Sequence, residues 1–151
     1  MKRNAFTLVE LIFVIVIIGV LAAVAVPKFK NLKQNAEVKA VIKTTLDTAS
    51  SAASAAVNQN DLENNTTVKL GDLVSVTGKG WTYDTATDTN GSYAYRSAGG
   101  TSDVAKITLD TEARTVTYFV TCTNFKDAIS IQKCKDDTNS TTGIASTVIS
   151  Y

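Results

Sequence analysis

Histidine is absent from the 151 residues, and with it go the commonest general base and the commonest metal ligand. No nucleophile–base pair or phosphate-binding loop is evident either, so an enzyme is the least supported class. Basic clusters are as scarce. No Lys/Arg run exceeds two residues, and 15 basic side chains face 14 acidic ones for a net charge of +1. Lys2 and Arg3 supply two of those positive charges, so without the first five residues thirteen basic groups face fourteen acidic ones, a balance of −1. Neither value suits direct nucleic-acid binding. Proline occurs once, at Pro27, cysteine twice, and no internal repeat is visible. Charge is missing altogether from Leu11 to Val26.

That uncharged stretch dominates what is present. Phe6 to Val26 is twenty-one residues with Glu10 as the lone charge, and at 1.5 Å per residue it spans roughly 30 Å, the thickness of a bilayer core. A transmembrane helix is expected over 6–27. A secretory signal peptide is the rival: Lys2 and Arg3 form a charged start, and Ala23-Val24-Ala25 resembles a cleavage site. The apolar run exceeds the usual 7–15-residue core of such signals, and neither a discarded signal nor a plain anchor has a use for Glu10. A carboxylate at the centre of a membrane helix costs about 2.5–3.5 kcal/mol. Near the edge it costs less, yet an intramembrane ionisable group still calls for a partner and points to function.

The residues here resemble a known family. Lys2-Arg3-Asn4-Ala5, then Phe6-Thr7-Leu8-Val9-Glu10-Leu11-Ile12 and an apolar run with Gly19 and Pro27, is similar to the class III signal of type IV pilins and type II secretion pseudopilins. The likeness covers about the first thirty residues. It implies that a prepilin peptidase removes residues 1–5 by cutting between Ala5 and Phe6, then methylates the new amine. The family usually has Gly before the cut, where this chain has the comparably small Ala5. It further implies that the Phe6 amine of one subunit meets Glu10 of a neighbour within a filament. Such a buried pair adds little net stability, but removing one partner strands a charge. Gly19 and Pro27 are poor helix formers, and the family suggests that the helix between them melts on assembly. Lys28, Lys30 and Lys33 offset Lys2 and Arg3, so charge alone leaves orientation open; the resemblance implies an inner-membrane, single-pass anchor with the carboxy-terminal head in the periplasm.

Beyond Pro27, Phe29, Leu32, Ala36, Ile42, Leu46, Ala49, Ala53 and Ala56 recur mostly at three- and four-residue spacing. An amphipathic helix over 28–58 follows. From Asn58 onward Thr, Ser, Asn, Asp and Gly dominate, the composition of a β-rich head over 59–151. Trp81 to Tyr83, Ser92 to Ser97, Val104 to Asp110 and Arg114 to Cys122 read as strands, the last three as an antiparallel meander. Ile107 and Leu109 share one face, and Val116, Tyr118, Val120 and Cys122 share another. The expected fold is α+β and pilin-like: a long amino-terminal helix packed on a small antiparallel sheet.

Outside the cytoplasm, Cys122 and Cys134 read first as a disulfide. A zinc site would lack two ligands, and the spacing is not that of a redox Cys-x-x-Cys. In pilins such a carboxy-terminal disulfide loop is exposed and variable, whereas many major pseudopilins lack it. Asp84, Asp88 and Asn90 ahead of Gly91 loosely suggest a calcium loop, but an EF-hand register would start on Ala86 and end on Ser97, which fails. Asp136, Asp137 and Asn139 are a second weak calcium candidate, since major pseudopilins bind calcium in this region; solvated turn residues are the preferred reading of both. Asn65 and Asn139 lie in Asn-x-Thr sequences preceded by Glu63 and Asp137, the acidic form of a bacterial glycosylation signal, and in so Asn- and Thr-rich a chain coincidence is the expected explanation. No cofactor is expected. The preferred function is a structural subunit of a type IV pilus-like filament serving adhesion, twitching motility or DNA uptake. Its partners would be further copies, other pilin or pseudopilin subunits, the prepilin peptidase and the assembly machinery. The alternative is a type II secretion pseudopilin acting in protein secretion from a periplasmic pseudopilus. A binding protein released by signal peptidase is a third reading.

Overall fold

The computed structural model describes residues 7–65 and 67–151. They fall into two compact units, one reaching Gln34 and the other running from Asn35 to Tyr151. Helix α1 spans Leu8–Leu62. In the first unit its large apolar side chains, from Leu8 to Leu32, are exposed. Among the described residues this is the one helix long and apolar enough to cross a membrane. It is helical through both Gly19 and Pro27. Pro27 therefore leaves the carbonyl four residues earlier without its helical donor, a cost of about 3 kcal/mol in a helix interior.

In the second unit α1 presents Val38, Val41, Thr45, Ala49, Ala52, Ala53 and Ala56 as its buried stripe. The stripe expected from the sequence holds in its second half, where Ala49, Ala53 and Ala56 are buried, and departs from this one earlier: Phe29, Leu32 and Ala36 are exposed, and Ile42 and Leu46 only half-buried. Two effects misled the phase. Apolar residues crowd Ala40 to Ile42 and blur it, and Thr45 looks polar yet is buried because its hydroxyl donates to the Val41 carbonyl at 2.7 Å. The helix also outruns the expected end at Asn58, since nothing from Gln59 to Leu62 stops it. Asn64, with φ of 50°, turns the chain in the left-handed region, and the Asn65 N–H closes back on the Gln59 carbonyl at 3.0 Å.

A short helix, α2 (Leu70–Leu73), leads into five antiparallel strands in sequential order. These are β1 (Trp81–Asp84), β2 (Ser92–Tyr95), β3 (Ala105–Asp110), β4 (Thr115–Thr121) and β5 (Gly143–Ser150). The expected meander is present and is extended at both edges. β2 stops at Tyr95, two residues early, where Ser97 accepts from the Gly100 N–H in a turn. The β3–β4 register sets Ile107 opposite Tyr118, Leu109 opposite Val116 and Ala105 opposite Val120. Residues assigned to separate faces of their own strands thus share one face of the sheet.

That face meets the α1 stripe in two clusters. Ala49, Ala52 and Ala56 pack with Leu70, Tyr93, Ile107, Leu109 and Val116. Val38 and Val41 pack with Tyr95, Val104, Val120, Phe125 and the two cysteines. Small side chains on the helix let it lie close to the sheet. Ala52, fully buried, leaves no volume for a longer side chain. Ala52→Leu is expected to destabilise the head by about 1–3 kcal/mol through overpacking, and thermal unfolding of the variant in detergent measures it; an unchanged midpoint would contradict this packing. Alongside, the Tyr95 hydroxyl donates to Glu37 at 2.6 Å. Burial, followed by that carboxylate, pushes the phenol well above its ordinary value.

Besides α2, two elements were not foreseen. Helix α3 (Ala128–Thr138) begins at Asp127, whose carboxylate accepts from the Ser130 N–H at 2.9 Å. β5 then pairs with β4. Its first residue must be glycine: φ at Gly143 is 115°, and a Cβ there would lie 2.1 Å from the Val120 carbonyl oxygen.

Candidate functional site

The amino-terminal site is built from α1's first turn. Thr7 is the residue before the helix, and its carbonyl accepts the first helical bond, from the Leu11 N–H at 3.2 Å. Glu10 reaches back to it. One carboxylate oxygen accepts from the Thr7 N–H and from the Thr7 hydroxyl, each at 2.8 Å, while the Glu10 N–H donates to the Thr7 hydroxyl oxygen at 3.3 Å. This is a reciprocal capping box, which satisfies donors that a helix start otherwise leaves orphaned. A negative group is also favoured there by the positive end of the helix dipole. Thr7 went unnoticed as Glu10's partner in the sequence, although a Thr-x-x-Glu spacing directly ahead of an apolar run is the signal for this arrangement. Ala5 and Phe6, the residues expected to flank the cut, lie outside the described residues.

Chemically the arrangement can do one thing: hold a carboxylate at the amino-terminal end of an apolar helix, hydrogen-bonded but with only neutral donors in its cap. The cap's donors are both neutral, so the carboxylate retains its attraction for a cation.

The oxygen-rich loops of the head are otherwise engaged. Asp84 accepts from the Ala86 N–H at 2.7 Å and from the Thr87 hydroxyl at 2.5 Å; that hydroxyl, more than the amide, holds its carboxyl below the usual range. Burial works against the charge on Asp88, but Lys106 at 2.9 Å and the Ser92 hydroxyl together hold the carboxyl below its ordinary value. The Asn90 amide donates to the Val68 carbonyl and to Thr111. Asp136 accepts from Gln132 at 2.8 Å and Asp137 pairs with Lys133, whereas Asn139 closes α3 through its backbone in the left-handed region. Among the described residues no cluster of three acidic, Cys or His side chains could hold a metal ion.

Cys122 and Cys134 are bonded, with Cα atoms 5.4 Å apart, and both are buried. The segment they enclose is mostly helix α3, which buries Ser130 and leaves Ala128, Ile129 and Gln132 exposed, and β5 follows it back into the sheet. The bond therefore fastens α3 to the end of β4.

Residues 1–26 match the family described as the prokaryotic N-terminal methylation motif. A curated relative, the type IV narrow pilus major component PilA5 of Thermus thermophilus, is 46% identical over 57 residues, 38% of this chain and 49% of that protein. The chain thus aligns with about half the length of the curated relative it matches. No solved structure matches.

Proposed function

We propose, from the prepilin-type amino terminus that it shares with the type IV pilin and pseudopilin family, that this chain is a structural subunit of a type IV pilus-like filament. The observation that carries the reading is Glu10, a solitary charge in an apolar helix that sits within the methylation motif. The subunit is held in the inner membrane by α1, with the head on the far side from the cytoplasm. Prepilin peptidase cuts between Ala5 and Phe6 and methylates the amine, which keeps its positive charge. During assembly Glu10 leaves the Thr7 cap for the Phe6 amine of a neighbouring subunit. That exchange replaces neutral donors by a cation, in a filament core where little water competes.

Gly19 and Pro27 then mark where α1 unwinds as the subunit leaves the bilayer. The missing donor at Pro27 makes local opening cheaper there than elsewhere in the helix. The disulfide-fastened α3 favours a pilus over a secretion pseudopilus, because many major pseudopilins lack such a bond. Deleting the gene and restoring it tests the assignment. Loss of surface filaments by electron microscopy, with exoprotein secretion intact, is the expected result. Intact filaments with blocked secretion would instead establish a pseudopilin.

A further inference from the structure

Two Asn-x-Thr sequences with an acidic residue two positions earlier occur in the head, at Asn65 and Asn139, and the structure separates them. Asn65 is half-buried and engaged at both ends of its amide. Its oxygen accepts from the Thr67 N–H and hydroxyl at 3.1 and 3.2 Å, and its nitrogen donates to Gln59 at 3.4 Å. The Thr67 hydroxyl is spent on the same contact. Asn139 differs on every count. It is exposed, stands in the left-handed conformation at the end of α3 (φ 48°, ψ 40°), and its side chain makes no hydrogen bond among the described residues. Thr141, which completes the signal, is likewise exposed. The turn that carries both is fixed on either side. The Ser140 N–H donates to the Lys135 carbonyl at 3.1 Å, and the Thr142 carbonyl accepts from the Cys122 N–H at 2.8 Å. Asn139 is thus held on a projecting turn with its amide free.

We infer that Asn139, and not Asn65, is an N-glycosylation site. The inference rests on the filament reading, because it requires the head to cross the membrane. The donor is a saccharide carried on a lipid pyrophosphate. The Asn139 amide nitrogen forms a bond to the anomeric carbon as the anomeric C–O bond breaks. The lipid pyrophosphate leaves with the electron pair, and the amide gives one proton to solvent.

Trypsin separates the two candidates, because Asn65 lies in the peptide Thr44 to Lys69 and Asn139 in the peptide beginning at Asp136. Mass spectrometry of the full subunit from its native host is expected to find a saccharide on the second peptide and none on the first. The glycan mass should vanish in Asn139→Gln and in Thr141→Ala, which keeps the capping asparagine, and persist in Asn65→Gln. An unmodified Asn139 peptide from the wild type, or a glycan that survives Asn139→Gln, overturns the inference. The peptide from Phe6 to Lys28 in the same digest distinguishes the two failures. If it carries a methylated amine while Asn139 is bare, only the glycan reading falls; if it is replaced by the peptide from Asn4 to Lys28, left by a leader that was never removed, the filament reading falls with it.

Discussion

Glu10→Val is expected to abolish filaments while leaving the subunit folded, inserted and processed. Removing one member of a buried ion pair costs about 3–5 kcal/mol, because the other charge stays behind without a partner. At about 1.4 kcal/mol per tenfold, the association of each subunit would weaken by a factor of roughly 10² to several thousand. Polymerisation repeats that loss at every step, so filament yield should fall below detection by electron microscopy and shearing. Glu10→Gln is the sharper variant. Glutamine can serve in a capping box much as glutamate does, so the contacts with Thr7 at 2.8 Å have a neutral substitute. If Glu10 matters only as a cap, Glu10→Gln assembles normally; if it matters as a charge, Glu10→Gln fails like Glu10→Val. The account expects failure.

The second large effect concerns the head. Cys122 and Cys134 are twelve residues apart in sequence, and a loop of this size contributes about 3 kcal/mol by the chain-entropy model. For a domain of this size a 3 kcal/mol loss lowers the unfolding midpoint by about 10 °C. Cys122→Ala with Cys134→Ala removes the bond without burying new hydroxyls, so the drop measured by calorimetry in detergent reports the bond and the lost packing together. The damage should be local at first. Cys134 anchors α3 within the cluster of Val38, Val41, Tyr95 and Val120, whereas β3 and β4 are held by a six-pair register and the α1 stripe. Amide exchange is therefore expected to quicken in Ala128–Thr138 before it does in β3 or β4. Equal acceleration throughout would contradict the fastening role.

How much of this was legible beforehand varied with the kind of signal. The apolar run, Glu10 and the β2–β4 strands were plain, because long uncharged stretches and β-branched alternation survive without tertiary context. The helix's buried face was plain only from Ala49 onward, where Ala49, Ala53 and Ala56 lie inward as their spacing suggested. Ala36, Ala40, Val41 and Ile42 fit several phases, and only the sheet decides that Val38, Val41 and Thr45 turn inward. Helix α3 was hidden because its polar run from Gln132 to Thr138 carries little periodicity and is held by Asp127's cap and Cys134. Strand β5 was hidden because Ser and Thr dilute Ile144, Val148 and Ile149; pairing with β4, through an irregularity between Tyr118 and Val120, makes it a strand. Thr7 was visible as a motif but was overshadowed by the charge at the fifth residue of the expected mature chain. At the functional end, sequence pattern supplied the acid and the structure supplied its holding partner.

Intact-mass and peptide analysis of sheared filaments from the native host tests the central claim most directly. The polymerised subunit should begin at Phe6 and carry one methyl group on its amine. Filaments built from chains that still carry Met1 to Ala5 would have no ammonium at that position to offer Glu10, and would contradict the account.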